Sequence, residues 1–394
     1  MTLNDNILVE PASAAVSRPA LTNPGPDFSR DVYCILGLPF DLVNLQQATA
    51  RMHQAARERR RCFLSTPNLN FVIACLKDRQ FRSTVIQSNL SVIDGMPIVW
   101  IARALGLPFT ERVSGSTLFD SLRMTAGKNG VDPMRIYFFG GLPGVGQQAC
   151  EKINADKGGM LAVGYETPGF GSVEEMSTPE TIRRINDSHP DFLVVALNAK
   201  KGQEWVQRNR DDLDVALMGH LGAVINFVAG TVSRAPRWVQ KSGLEWAWRI
   251  KEEPALWRRY WNDGRTLLQL LATVVLPGAL AARRHSVSAA RYDAAQVDVR
   301  LESDRAQLVL GGAIGKPNID RLRSALAQVW AKGAPVAVEC SALDHVDSAA
   351  LGTLILLYGA CAATQRPWTV TGVSPVVRRQ FELHCAQYLL EPLQ

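Results

Sequence analysis

Between Val32 and Ala229, short apolar runs alternate with segments of helical spacing, and this alternation confines the stretch to a mostly parallel sheet covered by helices. Arg135 to Phe139 (RIYFF), Met160 to Gly164, Asp191 to Leu197 and Val215 to Phe227 read as strands; Gln147 to Ala155, Pro179 to Ser188 and Gln203 to Asp212 read as helices between them. The expected fold class is α/β, with a Rossmann-like core over residues 31–235. In such sheets ligands meet the carboxyl ends of the strands, so the loops leaving them are where chemistry is sought. A chain of 394 residues exceeds one hydrophobic core, and the pattern restarts near residue 296. Strands at Val297 to Leu301, Gln307 to Leu310, Pro335 to Cys340 and Trp368 to Gly372, with helices at Ile319 to Lys332 and Ser348 to Ala363, predict a smaller α/β domain over 296–394.

The remaining segments read as connections. Residues 1–30, rich in Pro, Ser and Asn, are expected to be a disordered tail, and 286–295 a linker. The first residues lack the basic start and apolar run of a secretion signal, which points to the cytoplasm. Seven scattered cysteines, none in a CxxC, read as small buried apolar residues rather than a disulfide framework or zinc site. Residues 236–285 form a helical appendage of unusual composition. From Ser233 to His285 ten Lys or Arg stand against four acids, an excess equal to the +6 of the whole chain, and five of the nine tryptophans lie there. Arg and Trp interleaved on helices suit anionic lipid head groups, with Trp in the interface. The same chemistry suits nucleic acid, and an apolar core with solvated arginines is the plain alternative. The apolar run Thr266 to Ala282 falls short of the roughly 20 residues a crossing needs, so it is expected to lie on a bilayer rather than span it.

Several loop ends carry groups that can bind or react. Ser65 to Phe71 (STPNLNF) places Thr66 and Asn68 after a strand, able to hydrogen-bond a sugar or phosphate, and equally able to start a helix. Asp94, in SVIDGMPIV, can serve as general base for attack by an alcohol, or simply turn the chain as Asp-Gly. Gly140, Gly141 and Gly144 of GGLPGVG lie between a strand and a helix, where backbone amides hold pyrophosphate or merely make a tight turn. Arg112 (ERVSG) and Gln203 (KKGQEW) add a cation and an amide at further loop ends.

In order, STPNLNF, SVIDGMPIVW, ERVSG, FFGGLPGVG, HLGAVINFVAGTVSRAPRW and GLEWAWRIKEEPALWRRY resemble the motif series of the WecG/TagA/CpsF glycosyltransferases, glycosyltransferase family 26, over residues 31 to 275. The resemblance implies a UDP-sugar donor, a polyprenyl-diphosphate-linked acceptor, inverting transfer without metal or cofactor, no nucleic-acid partner, and docking on the inner face of the cell membrane. It assigns catalysis to Asp94 and Thr66 and makes Asn68, Arg112 and Gln203 substrate-binding candidates, to which the reading of the loop itself adds Gly140, Gly141 and Gly144. Membrane docking falls to Arg249, Arg258 and Arg259, with Trp257 and Trp261. Three departures leave the donor sugar open: AKKGQE replaces the family's GxPKQE, and Asn226 and Thr117 stand where Asp is common. The C-terminal unit resembles a STAS domain through Asp347 to Gly352 (DSAALG), which makes Ser348 a candidate phosphoacceptor or simply a helix cap, and implies a protein partner. The competing expectation is a non-catalytic scaffold that recruits partners through this domain.

Overall fold

A computed structural model describes residues 18–127, 132–156, 158–236, 239, 243–284 and 287–393. Six strands form the first sheet: β3 (Cys62–Ser65), β4 (Leu90–Ser91), β5 (Met134–Gly140), β6 (Met160–Glu166), β7 (Phe192–Ala196) and β8 (Leu217–His220). Their order is β4-β3-β8-β7-β5-β6 and every pairing is parallel. Side chains alternate across the sheet as the pleat requires. Ile136 and Phe138 of β5 enter one apolar cluster with Phe192 and Val194, while Tyr137 and Phe139 enter another with Leu193 and Val195. Both faces are covered, which is why these strands read as continuous apolar runs.

Two boundaries differ from the sequence reading. The run Val215 to Phe227 is a strand only as far as His220; from Val224 to Ala229 it is a helix, ended by Gly230 at φ +74°. A short apolar run satisfies either period, and Gly222 breaks it. The helix expected at Gln203 begins at Ala199, where Asn198 caps it by accepting from the Lys201 N–H.

The tail expected over residues 1–30 does not extend to residue 30. Thr22 bridges to Arg60, Arg18 pairs with Asp191 at 3.5 Å, and Phe28 is buried. Arg30 is also buried; its guanidinium binds both carboxylate oxygens of Asp41 at 3.0 and 2.6 Å and donates to the Ser88 carbonyl at 2.8 Å. Composition gave no sign of this ion pair, because its partner lies on a hairpin, β1 (Val32–Ile35) with β2 (Leu38–Asp41).

The second domain has four strands, β9 (Gln296–Leu301), β10 (Ala306–Ile314), β11 (Val336–Val346) and β12 (Trp368–Thr371), in the order β12-β11-β10-β9. The expected linker 286–295 contains a short helix, Ala289–Asp293. At the centre lies the helix Ser348–Ala363, with thirteen of its sixteen residues buried, so it is apolar all round. One side packs on its own domain and the other on the first, and the hairpin, Phe71, Phe81 and Ile98 share a single apolar cluster with Leu351, Ile355 and Phe381. A Cβ on Gly352 would stand 2.9 Å from the Val32 carbonyl oxygen, and one on Gly359 would stand 2.6 Å from Ile86. The Ser348 hydroxyl donates to the Cys34 carbonyl at 2.8 Å and Tyr388 donates to that of Gly37 at 2.9 Å. Lys316 and Arg323 reach Asp31 at the rim.

Ser348 is therefore enclosed in the contact between the domains, with Asp347 serving as the helix cap by accepting from Ala350 N–H. A phosphoacceptor at this serine is at odds with the docked arrangement, since a doubly charged group would have to enter an apolar seam. Replacing Ser348 with Ala should cost about 1 kcal/mol, the net value of one hydrogen bond. Gly352→Leu should cost about 1–3 kcal/mol by overpacking. Thermal unfolding should show both domains melting together in each variant; two separated transitions in the native protein would refute a shared core.

Candidate active site

Thr66, Asn68 and Asp94 are brought together by the first two strands from the sheet edge. Asn68 caps the helix Leu69–Lys77, its side chain accepting from the Phe71 N–H at 3.1 Å, and Thr66 is buried beside it. The N–H of Asp94 donates to the Pro67 carbonyl at 3.1 Å, joining the two loops. Gly95 has φ +155°, and a Cβ there would lie 3.6 Å from that of Asn68, so the Asp-Gly turn lets the loops close on each other. From the other side, the Gly115 N–H donates to Asp94 Oδ2 at 3.3 Å, and a Cβ on Gly115 would stand 3.6 Å from the Thr66 hydroxyl. Further back, Asp41 accepts from the Ser91 N–H at 2.8 Å, so the buried Arg30–Asp41 pair fixes the end of β4 three residues before Asp94.

Asp94 is half-buried where these loops meet. Protein packed around it pushes its carboxyl up to about 6; Arg112 pulls it down, Glu245 pushes it up, and the Gly115 N–H and Arg249 pull it down. Arg112 forms an ion pair with Glu245, on the appendage helix Glu245–Glu252. One turn further along that helix, Arg249 lies 5.0 Å from the centre of the Phe227 ring. The appendage thus supplies one carboxylate and one guanidinium to the field around Asp94. Sequence reasoning counted Glu245 only as one acid among four, because nothing local shows that a residue 133 positions away meets Arg112.

The expected site residues divide. Thr66, Asn68, Asp94 and Arg112 belong to one constellation. Gln203 does not line it: fully buried, its amide exchanges hydrogen bonds with the Ser65 hydroxyl at 3.1 and 3.2 Å, bracing the residue before Thr66. Gly140, Gly141 and Gly144 follow β5, four strand spacings from β4, or roughly 19 Å. Gly140 permits close approach of β7, since a Cβ would stand 2.5 Å from the Ala196 carbonyl oxygen. Gly144, in open space, precedes the helix Val145–Ala155, whose amino end faces the same edge of the sheet.

His220 closes β8 between these two regions and escaped notice in the sequence. It is buried, its Nε2 lies 2.9 Å from the Leu197 carbonyl, and burial lowers its pKa, so the ring is neutral with Nδ1 bare.

The docking residues also divide. Trp257 and Trp261 project outward, and Arg258 lies over the Trp257 ring at 5.6 Å. Arg259 stands 3.8 Å from Asp263, which accepts from Asn70 on the helix that Asn68 caps. Arg249 faces inward, so the expectation that it touches lipid is corrected. Trp238 lies outside the described residues. The apolar run Thr266 to Ala282 is part of a helical rod over Pro254–Arg283, 30 residues, long and apolar enough to cross a membrane and only 11% buried over its most apolar window. Length therefore no longer forbids a crossing. Leu270 and Val275 do pack into the shared core, next to a π-helical turn at Leu271–Val275.

Comparison with known proteins agrees with the motif series. The Glycosyl transferase WecG/TagA/CpsF family model matches residues 33–278, and a STAS domain model (Mlab) matches 297–387. An N-acetylglucosaminyldiphosphoundecaprenol N-acetyl-beta-D-mannosaminyltransferase of Bacillus spizizenii is 26% identical over 197 residues, covering 50% of this chain and 74% of the relative. The protein of the same description from Bacillus subtilis is 26% identical over 208 residues, covering 53% and 78%. One from Staphylococcus aureus is 23% identical over 217 residues, covering 55% and 82%. With the family model spanning more than half the chain over the fold that carries Asp94, the protein belongs to the WecG/TagA/CpsF family of glycosyltransferases and bears a C-terminal STAS domain.

Proposed function

We propose that the protein transfers a sugar from a UDP-sugar to a polyprenyl-diphosphate-linked saccharide, with inversion and with Asp94 as general base, in the synthesis of a bacterial exopolysaccharide or cell-surface glycan. The observation that carries this reading is the partly solvated Asp94 carboxyl, raised to about 6 and flanked by Thr66, Asn68 and Arg112 at the carboxyl edge of the sheet. A base with that pKa is ionised at neutral pH yet basic enough to take a proton as the bond to it forms. In one displacement the acceptor oxygen bonds to the anomeric carbon, the bond to the UDP oxygen breaks, and the hydroxyl proton passes to Asp94.

The donor spans the edge of the sheet. The uridine end lies toward the start of the helix Val145–Ala155, and the leaving diphosphate and the sugar lie beside Thr66, Asn68 and Asp94, since the anomeric carbon is one oxygen away from the phosphate it leaves. Arg112, with Arg249, meets the acceptor's diphosphate, for which guanidinium forks are suited. Glu245 holds Arg112 until that anion arrives. The rod from Trp257 onward rests on the anionic inner leaflet, which puts the inward-facing residues of the appendage within reach of a lipid-borne substrate. The relatives' names support the polyprenyl acceptor; the altered loop at Ala199 to Glu204 leaves the donor sugar to be measured.

Asp94→Asn should lower transfer by about 100- to 10,000-fold, with chelator leaving the native rate unchanged. Undiminished transfer by the variant would remove Asp94 from the mechanism. Because Asp94 must be ionised to accept the proton, kcat/KM should rise with pH through about 6 and level off above it. Glu245→Gln removes a charge that raises this pKa, so the limb should move to lower pH; Arg112→Ala should move it higher. A limb fixed in both variants would place the titrating group elsewhere. For the membrane, Trp257→Ala with Trp261→Ala, or Arg258→Ala with Arg259→Ala, should reduce flotation with anionic vesicles, at about 1 kcal/mol per basic residue removed. Undiminished flotation of both pairs would refute docking through this rod.

A further inference from the structure

We propose that the seam between the two domains contains a binding site for a small phosphorylated ligand of nucleotide size, separate from the transferase site. A cleft of about 650 Å³ opens where the helix Arg79–Ile86 of the first domain meets the end of Ser348–Ala363 and the turn after it. That volume lies within the range of small-molecule sites. Three guanidiniums face it, Arg79 and Arg82 from the first domain and Arg366 from the second, with Ser83 and Gln365 as neutral polar groups and Tyr358 as an aromatic wall. Among the described residues, no carboxylate lines it.

All three cations are engaged: Arg79 donates a hydrogen bond to the Tyr358 side chain, and the other two are stacked. Arg82 lies over the Tyr388 ring at 4.2 Å and donates to the Cys75 carbonyl at 3.2 Å. Arg366 stacks on Trp330 at 3.9 Å and donates to its carbonyl at 3.1 Å. Each uses one arm of its fork and keeps other N–H groups for a ligand. Carboxylates near in sequence or space are otherwise engaged or outside the lining: Asp78 caps the helix Arg79–Ile86 and pairs with Lys200 at 2.5 Å, while Glu391 acts on Tyr358 from beyond the lining. Among the described residues, none of the three arginines forms an ion pair. Like charges converging on one cleft repel, and an anion with two or more charges removes that cost while bridging both domains. Phosphate groups fit the guanidinium forks, and the aromatic wall leaves space for a flat ring.

The consequence is regulatory. A ligand seated there ties the first domain to the helix whose other end holds the hairpin, and so strengthens the contact between domains. The placement differs from Ser348, which lies at the opposite end of that helix.

The test uses full-length protein carrying Arg112→Ala, which removes one of the two cations expected to meet a diphosphate in the transferase site and leaves the comparison below to isolate the seam. Inorganic pyrophosphate and a nucleoside triphosphate are titrated into it by calorimetry, and into the same protein with Arg79→Glu and Gln365→Glu added. Both added positions are exposed, and an unchanged melt in buffer alone confirms that the fold is kept. The expected result is saturable binding of pyrophosphate that weakens at least tenfold in the charge-reversed protein. Tighter binding of the nucleotide, lost in the same way, identifies a phosphate ester rather than free phosphate as the ligand. Equal affinities in the two proteins, or no saturable binding in the first, overturn the proposal and leave the transferase reading untouched.

Discussion

The helix Ser348–Ala363 must be covered on every side, and much of the molecule is arranged to satisfy that need. A sixteen-residue helix buried at thirteen positions cannot lie on the surface of a four-stranded sheet, because one of its faces would meet water. The first domain supplies the missing cover with a hairpin that stands apart from its own six-stranded sheet. Glycines at 352 and 359 let the backbones approach, and the Ser348 hydroxyl satisfies a hairpin carbonyl that would otherwise be buried without a partner. A STAS domain is thus built into the transferase rather than tethered to it, which restricts how it can recruit anything else through this helix.

The same contact extends to the appendage. Leu270 and Val275 of the long rod join the apolar cluster shared by the two domains, and the helix before the rod carries Glu245 to Arg112. The field around Asp94 is consequently a composite. Asp94 owes its raised pKa first to the protein packed around it, and then to a balance among Arg112, Glu245 and Arg249, two of which come from the appendage. The helix that carries Glu245 to Arg112 is followed directly by the rod with its outward-facing tryptophans, Trp257 and Trp261. The Arg30–Asp41 pair plays the supporting part at the rear, holding Ser91 and hence the strand end from which Asp94 projects.

Much of the fold was legible because its signals are local. Apolar runs such as RIYFF bounded by loops gave the parallel sheet, and the Thr66-Pro67-Asn68 and Asp94-Gly95 dipeptide turns marked strand ends where the site is found. Errors arose where a local pattern has two solutions. Val215 to Phe227 suits a strand or a helix, and Gly222 divides it. Residues 18 to 30 read as tail because Arg30 looks solvated until its partner Asp41 is placed. Gln203 looked free at a loop end, yet its helix turns it inward onto Ser65.

By itself, the sequence determined the α/β class, the division into two units, the family, and four members of the constellation at the sheet edge, since periodicity and ordered motifs depend only on neighbours in the chain. Tertiary structure alone decided that Arg249 faces the site while Trp257 and Trp261 face outward, that Glu245 meets Arg112, and that Ser348 is enclosed. It also decided that three arginines converge at the seam. Each of these pairs groups far apart in sequence, and which charges become neighbours is fixed only when apolar surfaces on separate segments are buried against one another.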